Sequence, residues 1–337
     1  MRNTHLRVGF IGAGANTRLR HLPGLKAIDG VELSVVANRT VESGKRVATE
    51  FGVKRLAAHW REVVEDPAVD AVCIGTWPDL HAEITIAALA AGKHVLVEAR
   101  MARNVAEARL MLAAAAARPD LVAQIVPSPF TLNADAKIQA LVARGRIGDL
   151  REIVVEHATS VYVDSATPLT WRQDKQISGV NTMALGICYE PLLRWFEGDG
   201  EVVAADARVY TTRRLGPNGD NHEIEIPESV TVLGRWTGGA RLVMHQTSVE
   251  VGANRCLFRL VGSRATLVFD AQNQTLRMID SSGGSEEIEI LNRPQQGWNV
   301  EAEFAASITK RAPVTLTDFS TGLRYMRFTE EVWEAWS

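Results

Sequence analysis

Short apolar runs alternate with segments of helical spacing over the first 125 residues of the chain. The apolar runs, many of them rich in β-branched side chains, predict buried strands at residues 8–11, 31–37, 71–75, 94–97 and 121–126. The segments between them predict helices at residues 41–50, 82–92 and 105–117. Strands that alternate with helices form a parallel sheet through right-handed crossovers. The first part of the chain is therefore predicted to be an α/β domain with a doubly wound sheet.

The pattern changes after residue 127. One helix is predicted over residues 133–143, and strand-like runs follow at residues 151–163, 201–210, 228–236, 240–249, 255–261, 265–270 and 275–280. Short connections between successive strands predict antiparallel neighbours in one open sheet of an α+β domain. Pro127 and Pro129 mark the junction, so the predicted domains are residues 1–127 and 128–337, with closing helices in 298–337.

The stretch from Val8 to Thr17 joins an apolar strand to a glycine turn. A strand, a glycine turn and a helix start together form the cradle that holds the pyrophosphate of a dinucleotide. Thr17 stands at the third glycine position of that fingerprint, and Pro23 disfavours a helix that runs unbroken from residue 15. We therefore expect a longer phosphate loop and a helix that begins near His21. The predicted cofactor contacts in this loop are Gly12, Gly14, Ala15, Asn16 and Thr17.

The end of the second predicted strand carries Asn38, Arg39 and Thr40 where NAD-binding domains place a carboxylate. A carboxylate would repel the 2'-phosphate of NADP, whereas Arg39 would pair with it. This pattern favours NADP as the cofactor, with NAD as the second choice. Two other interpretations of Arg39 stay open: a solvated charge, or a group that stacks on adenine of either cofactor.

Loops at the carboxyl ends of parallel strands line the ligand crevice of such a sheet. The loop after the third major strand supplies Thr76, Trp77 and His81, and the fourth ends at Glu98. These four residues are further predicted cofactor contacts. His81 also suits a hydrogen bond at the start of a helix.

Composition narrows the classes of partner. The 337 residues carry a formal net charge of −3, so a nucleic acid is not expected as a partner. No apolar run is long enough to cross a bilayer, and the amino terminus enters a strand too early for a signal peptide, so a cytoplasmic protein is expected. The three cysteines are scattered without metal-binding spacing, and we expect no metal site.

The chain resembles the glucose-fructose oxidoreductase and inositol dehydrogenase family, written Gfo/Idh/MocA. The likeness lies in GFIGAGANTRLRHLPGLK, VELSVVANRT, TWPDLH, GKHVLVE, SGVNTMALGICYEPLLRW and VEAEFAASI with TDFSTGLRYM. This resemblance implies a Rossmann domain followed by a domain with an open, mostly antiparallel sheet, often used for assembly into a homo-oligomer such as a dimer or tetramer. It also implies hydride exchange between NAD(P) and a small molecule: a sugar, a polyol or a related alcohol.

The chain departs from the family pattern at its catalytic positions. Ala99 stands where the family has a lysine, Arg100 where it has proline, and Ala184, Cys188 and Pro191 replace the residues of a second signature. Losing a general acid or base typically costs about 10²- to 10⁴-fold in rate. The remaining candidates for catalysis are Tyr189, Cys188, Arg100, His157 and His245. The candidates for substrate binding are Trp171, Arg172 and Asn181, and for Arg172 a surface ion pair with Asp174 is the alternative.

Three functions stay open on these residues. The first is an NAD(P)-dependent oxidoreductase with a non-standard proton route. The second is a cofactor-binding sensor or structural protein without catalysis, and the third is a lyase or hydratase that cycles its nicotinamide internally.

Overall fold

A computed structural model describes residues 5–291 and 296–337 of the chain, which forms two compact units. The first unit comprises Met1–Pro127 and Asn299–Leu323, and the second comprises Ser128–Trp298 and Arg324–Ser337. The assignment of all of 298–337 to the second domain is therefore wrong. The backbone explains the difference, because Ile125 donates to the carbonyl of Thr317 at 2.9 Å and Gln124 forms an antiparallel bridge with Asp318.

The first unit contains a six-stranded sheet in which every pair is parallel. Its strands are β1 (Leu6–Ile11), β2 (Val31–Ala37), β3 (Arg55–Ala57), β4 (Ala71–Ile74), β5 (His94–Val97) and β6 (Ala123–Ile125), in the order β3-β2-β1-β4-β5-β6. All four residues of β4 are buried, which explains its continuous apolar sequence. The predicted Rossmann-like sheet is confirmed, although the short β3 was missed.

The helices of the first unit lie between these strands. They are α1 (Leu22–Lys26), α2 (Val41–Phe51), α3 (Trp60–Glu65), α4 (Pro78–Ala90) and α5 (Val105–Ala116). Helices α2 and α5 begin at N-capping side chains. Thr40 accepts a hydrogen bond from the amide of Ser43, and Asn104 accepts one from the amide of Glu107. The six-residue α3 has too few positions to show a helical period and was not predicted.

The prediction of a long phosphate loop and a helix beginning near His21 is wrong. Helical backbone begins at Ala15, continues as a π-helix over Thr17–His21 and passes directly into α1. The amide of Leu22 donates to the carbonyl of Thr17, five residues earlier. This wider turn lets Pro23, which has no N–H, enter in the first turn of α1. The helix therefore starts within the glycine motif.

The second unit contains an eight-stranded open sheet. Its strands are β7 (Leu150–Thr159), β8 (Gly200–Arg208), β11 (Ser229–Trp236), β12 (Arg241–Thr247), β13 (Asn254–Gly262), β14 (Ala265–Asp270), β15 (Thr275–Asp280) and β16 (Ser285–Ile288). Two further strands, β9 (Arg213–Leu215) and β10 (Asn221–Glu223), form a separate hairpin. The sheet order is β16-β15-β14-β13-β7-β12-β11-β8.

Almost all pairs in this sheet are antiparallel, as expected from the short connections. The exception is β7 with β12, which run parallel. These two strands are far apart in sequence, so the rule for adjacent strands does not govern their pairing. Strands β9, β10 and β16 were not predicted, because their sequences RRL, NHE and SEEI contain no apolar run.

The helices of the second unit are α6 (Asp135–Ala143), α7 (Lys175–Ser178) and α8 (Leu185–Trp195). Helix α9 (Val300–Lys310) belongs to the first unit, and α10 (Phe319–Trp336) begins in the first unit and ends in the second. On β12, Leu242, Met244 and Gln246 are buried while Arg241 is exposed. One face of the sheet is therefore covered. A search of the described helices finds none that is long and apolar enough to span a membrane.

Candidate cofactor and substrate sites

The glycine loop after β1 has the geometry of a phosphate cradle. Gly12 adopts a φ of +78°, and a Cβ there would lie 2.7 Å from the amide nitrogen of Thr76. The amide of Ala13 donates to Asn38 Oδ1 at 2.7 Å, which ties the loop to the end of β2. Gly14 and Ala15 are exposed, and first-turn amides of a helix have no partner within the helix. The loop can therefore bind a pyrophosphate through backbone amides.

The end of β4 packs directly against this loop. A Cβ on Gly75 would lie 2.1 Å from Thr17 Oγ1, so only glycine permits the contact. Thr17 is buried, which gives it a packing position at the predicted third-glycine site. Thr76 Oγ1 is buried and has no hydrogen-bond partner among the described residues. An unsatisfied hydroxyl beside the glycine turn fits a bound polar group at this position.

Arg39 and Trp77 lie together at the carboxyl ends of β2 and β4. The Arg39 guanidinium is 5.6 Å from the centroid of the Trp77 ring, which is 40% exposed. Asn38 directs its oxygen to Ala13, and Thr40 caps α2. The turn of residues 38–40 carries no carboxylate. Arg39 and Trp77, two of the predicted cofactor contacts, are thus brought together. Asn38 also holds the phosphate loop through its hydrogen bond with Ala13.

His81 is fully buried between two loops. Its Nδ1 lies 2.9 Å from the carbonyl oxygen of Arg100, and its Nε2 lies 3.1 Å from the carbonyl oxygen of Thr76. Burial lowers the pKa of His81, although the two carbonyl groups oppose this effect. The ring connects the segments that follow β4 and β5. His81 therefore holds the two segments together and is not itself exposed. This agrees with its alternative interpretation as a structural hydrogen-bonding residue and not with a direct cofactor contact.

The largest unpredicted feature of the first unit is a buried ionic cluster of His21, Glu98 and Glu301. His21 Nδ1 lies 2.6 Å from Glu301 Oε1, and His21 Nε2 lies 3.0 Å from Glu98 Oε1. Glu98 also accepts a hydrogen bond from the side-chain amide of Asn16, in the first helical turn after the glycine loop. Gly24 leaves room for this approach, since a Cβ there would lie 2.9 Å from Glu301 Oε2. No spacing in the sequence connects His21 with Glu301.

Charge decides the protonation of this cluster. Burial alone would lower the pKa of His21, but hydrogen bonds to Glu301 and Glu98 and their charges raise it to about 9. Burial would raise the pKa of Glu98, and His21 and Asn16 reverse this and lower it. His21 is therefore a buried imidazolium between two carboxylates at neutral pH. The Glu98 side chain remains 15% exposed.

Next to Glu98, Ala99 supplies no ionisable group, and Arg100 is buried. Arg100 cannot exchange protons near neutral pH, so any role would be charge stabilisation. Among the described residues, no group of three or more histidine, cysteine, aspartate or glutamate side chains is arranged to hold a metal ion.

Tyr189 lies in the core of the second unit. Its ring stacks on Phe328 with centroids 3.8 Å apart, and its hydroxyl oxygen accepts a hydrogen bond from the amide of Gly200 at 2.7 Å. Burial is the main cause that raises the pKa of its phenol well above the usual range. This placement contradicts the prediction of Tyr189 as a proton donor. Cys188 is likewise fully buried on α8, where it packs as a small apolar side chain.

The two predicted strand histidines lie on opposite faces of the sheet. His157 on β7 pairs with Gln246 of β12, whereas His245 of β12 pairs with Glu156. His157 stacks against Phe130 with ring centroids 5.6 Å apart. His245 Nδ1 lies 2.9 Å from Thr231 Oγ1 on the other face. Because side chains alternate along a strand, these histidines cannot serve one site.

The predicted substrate residues lie in and after the 3₁₀ turn Trp171–Gln173. The Arg172 guanidinium lies 4.3 Å from the centroid of the Trp171 ring. Asp174 caps α7 by accepting from the amide of Gln176, so it has a local role apart from the ion pair suggested for Arg172. Asn181 is buried and donates to the carbonyl of Ser178 at 2.7 Å. Trp171 and Arg172 form an amphipathic stacked pair.

A buried ion pair, not predicted from the sequence, holds the chain between β7 and the Trp171 turn. Arg214 and Glu228 are joined at 2.7 Å with both side chains fully buried. Arg214 also donates to the carbonyls of Tyr162 and Thr167, and Glu228 accepts from the amides of Tyr210 and Thr211 and from Gln173. The pair therefore fastens the chain between β7 and the Trp171 turn to the sheet. A buried arginine has no distinctive sequence signal.

Profiles of one protein family match both parts of the chain. The profile described as an oxidoreductase family with an NAD-binding Rossmann fold matches residues 6–125. The profile of the GFO/IDH/MocA C-terminal domain matches residues 136–268. The match covers the phosphate loop, the cluster residues His21 and Glu98, and the strands up to β14.

Individual relatives agree with these profiles. Levoglucosan dehydrogenase of Pseudarthrobacter phenanthrenivorans is 25% identical over 255 residues, which is 71% of this chain and 65% of that protein. Trans-1,2-dihydrobenzene-1,2-diol dehydrogenase of Bos taurus is 28% identical over 241 residues, covering 69% of this chain and 65% of that protein. The matched part of the chain therefore spans just under two thirds of either relative's length.

Solved structures show the same fold. Levoglucosan dehydrogenase in complex with NADH and L-sorbose superposes with a TM-score of 0.88 at 22% identity, covering 98% of this chain and 96% of that chain. An oxidoreductase domain protein from Kribbella flavida superposes with a TM-score of 0.87 at 26% identity, covering 98% and 97%. The fold of this chain is thus shared with these proteins.

Proposed function

The chain belongs to the Gfo/Idh/MocA family of oxidoreductases, and from this premise we propose that it transfers hydride between NAD(P) and a sugar, polyol or related alcohol. One observation carries the proposal. The Gly12 turn follows β1, is held by Asn38 and leads at once into a helix, which is the geometry of a dinucleotide pyrophosphate site. The bound nicotinamide would supply the hydride chemistry.

NADP is the proposed cofactor, with NAD second. Arg39 is exposed at the end of β2, and no carboxylate at residues 38–40 would repel a 2'-phosphate. Against this, relatives of the chain are solved with NADH. Arg39→Ala is expected to weaken NADPH binding by about tenfold or more, the loss of one charge-assisted pair, with NADH binding changed less. The control is Arg46→Ala, which removes an exposed arginine from α2, the helix that follows Arg39. Equal losses for both nucleotides would contradict the NADP preference.

Glu98 and His21 supply the proposed proton route in place of the missing lysine. Glu98 is partly exposed beside Ala99, and His21 behind it holds a proton. In carbonyl reduction, the proton held by His21 would pass through the Glu98 carboxylate to the substrate oxygen, which leaves His21 neutral and Glu98 ionised. In alcohol oxidation the proton would move the opposite way, which requires neutral His21. The rate of oxidation should therefore increase as pH rises toward about 9, the pKa of His21.

Absence of catalysis is the second candidate function. The observation that favours it is Tyr189, whose hydroxyl is occupied by Gly200 in the core, together with Ala99 at the usual lysine position. A protein of this kind would bind the nucleotide as a sensor or structural element.

Steady-state kinetics separates the two candidates. Purified protein is mixed with NADP or NAD and a panel of levoglucosan, D-glucose and myo-inositol, and reduced nicotinamide is followed by its absorbance. The proposal predicts that turnover at saturating nucleotide falls about 10²- to 10⁴-fold in Glu98→Gln. The control is Glu83→Gln, which removes an exposed partner of Arg61. Nucleotide binding without turnover on any alcohol would instead support the sensor.

A homo-oligomer formed through the sheet of the second unit is also proposed. The uncovered face presents apolar side chains such as Leu233, 49% exposed, beside Thr231 and His245. Light scattering would measure the mass in solution. A dimer or tetramer that dissociates in Leu233→Glu supports this proposal, and a monomeric wild type contradicts it.

A further inference from the structure

Gln246 is a buried amide without hydrogen-bond partners. Its side chain on β12 is fully buried, and neither its oxygen nor its nitrogen has a partner among the described residues. A primary amide offers two donors and one acceptor, and leaving them unsatisfied inside a protein is unfavourable. Several buried side chains in the described part of the chain have one polar atom without a partner, but Gln246 has two, and buried polar groups are usually paired.

The position of Gln246 in the sheet shows what surrounds it. Its neighbours in register are His157 on β7 and Val230 on β11. Earlier on the same face of β12, Leu242 and Met244 are buried and apolar. The covered face thus changes from apolar to polar where β7 and β12 end. His157 is partly exposed, so this polar end of the sheet reaches solvent.

A second amide lies at the same end of the sheet. The pairing between β11 and β12 continues one residue beyond the strands, because the amide of Ser248 donates to the carbonyl of Glu228 at 2.9 Å. Glu228 is therefore the diagonal neighbour of Gln246 on this face, at about 7–8 Å between Cα atoms. Gln173 donates to Glu228 Oε1 at 3.3 Å, and its own Oε1 is buried without a partner in the described part of the chain.

We propose that Gln246 and Gln173 bind adjacent hydroxyl groups of the polyhydroxylated substrate. The inference rests on the proposed oxidoreductase function and assigns its substrate class. An amide oxygen accepts from one hydroxyl while the amide nitrogen donates to another, so the pair matches a vicinal diol. Neutral amides suit neutral hydroxyls better than an anionic group. The His157 ring, stacked on Phe130, offers an apolar surface for ring carbons beside them.

Equilibrium binding to Gln246→Leu tests this assignment. Levoglucosan, D-glucose and myo-inositol are titrated into the NADPH-bound protein, and melting temperature is measured without sugar. The dissociation constant for the polyol that binds wild type is expected to rise about tenfold or more, as two hydrogen bonds are lost. The melting temperature should stay unchanged or rise, because leucine removes an unsatisfied amide from the interior.

Gln124→Leu is the matched control. Gln124 is also fully buried, but in the first unit, where its amide nitrogen donates to Glu303 at 3.4 Å and only its Oε1 lacks a partner among the described residues. That variant should melt at a lower temperature and keep the polyol affinity of wild type. An affinity unchanged in Gln246→Leu, whatever its melting temperature, would overturn the inference. The inference would also be overturned if the wild-type protein bound NADPH but none of the three polyols. Failure to bind either NADPH or NADH would instead refute the proposed function.

Discussion

His21 Nδ1 lies 2.6 Å from Glu301 Oε1, although 280 residues separate them in the chain. With Glu98 on its other nitrogen, the imidazolium connects the segment after the phosphate loop to β5 and to α9. Arg20 is a further charged group near the two carboxylates. Together with the backbone contacts of Thr317 and Asp318, this cluster attaches residues 299–323 to the first unit. It also makes the stability of that unit depend on pH.

The folded protein should lose stability as pH rises through about 9. His21 has an ordinary pKa of 6.5 and a folded-state pKa of about 9, so its contribution is complete below pH 6.5 and is lost as pH passes about 9. A difference of this size corresponds to about 3 kcal/mol. Urea unfolding at several pH values would measure it.

Glu301→Gln isolates this effect. We expect the free energy of unfolding at pH 7 to fall by about 1–3 kcal/mol, since a buried charge partner is lost. The decline between pH 7 and 9 should also become shallower. His222→Gln, which removes a surface histidine paired with Asp220, serves as the control. A variant that keeps the full pH dependence of wild type would show that Glu301 does not hold the proton on His21.

Tyr189 should contribute to stability and not to proton transfer. Tyr189→Phe removes the acceptor of the buried Gly200 amide, which is expected to cost about 1–3 kcal/mol. The rate of hydride transfer at saturating substrate should stay within about twofold of wild type, because the ring remains stacked on Phe328. Tyr210→Phe, at a side chain 63% exposed, is the control and should change neither quantity. Abolished turnover with unchanged stability would restore the catalytic interpretation.

Arg214 and Glu228 should act as a unit. Arg214→Met leaves the Glu228 carboxylate buried without its cation, and the free energy of unfolding is expected to fall by about 3–5 kcal/mol. In the double variant with Glu228→Gln the loss should be smaller, because no unpaired charge remains. Limited proteolysis would report whether residues 160–174 open, since Arg214 binds their carbonyls. Strictly additive losses in the two single variants and the double variant would contradict the coupling.

The local pattern of the chain predicts its sheets well and its contacts poorly. Strands β2 and β5 begin and end at the predicted residues because apolar runs with glycine or polar flanks determine them locally. The sequence does not reveal the helix start at Ala15, because Pro23 disfavours an unbroken helix and a π-turn accommodates it. Hydrophobic periodicity carries no information on such a local change of hydrogen bonding.

Side-chain partners from distant elements had no signal in the sequence. A single histidine such as His21 looks like a surface residue in the sequence, and only the fold brings Glu301 beside it. Gln246 looks like any polar residue of a strand, and only burial distinguishes it. Tyr189 shows the converse: its position near a family signature suggested chemistry, yet its neighbours Phe328 and Trp236 place it in the core.

Isothermal titration of NADPH and NADH into the wild-type protein and Gly12→Val tests the central claim most directly. Saturable binding to wild type is expected, with at least about a hundredfold loss in Gly12→Val, because its side chain would collide with Thr76. Gly219→Val controls for backbone strain, since Gly219 has a φ of +80° but open space around it. Absence of heat with either nucleotide, or equal affinity in wild type and Gly12→Val, would contradict a dinucleotide site at the Gly12 turn.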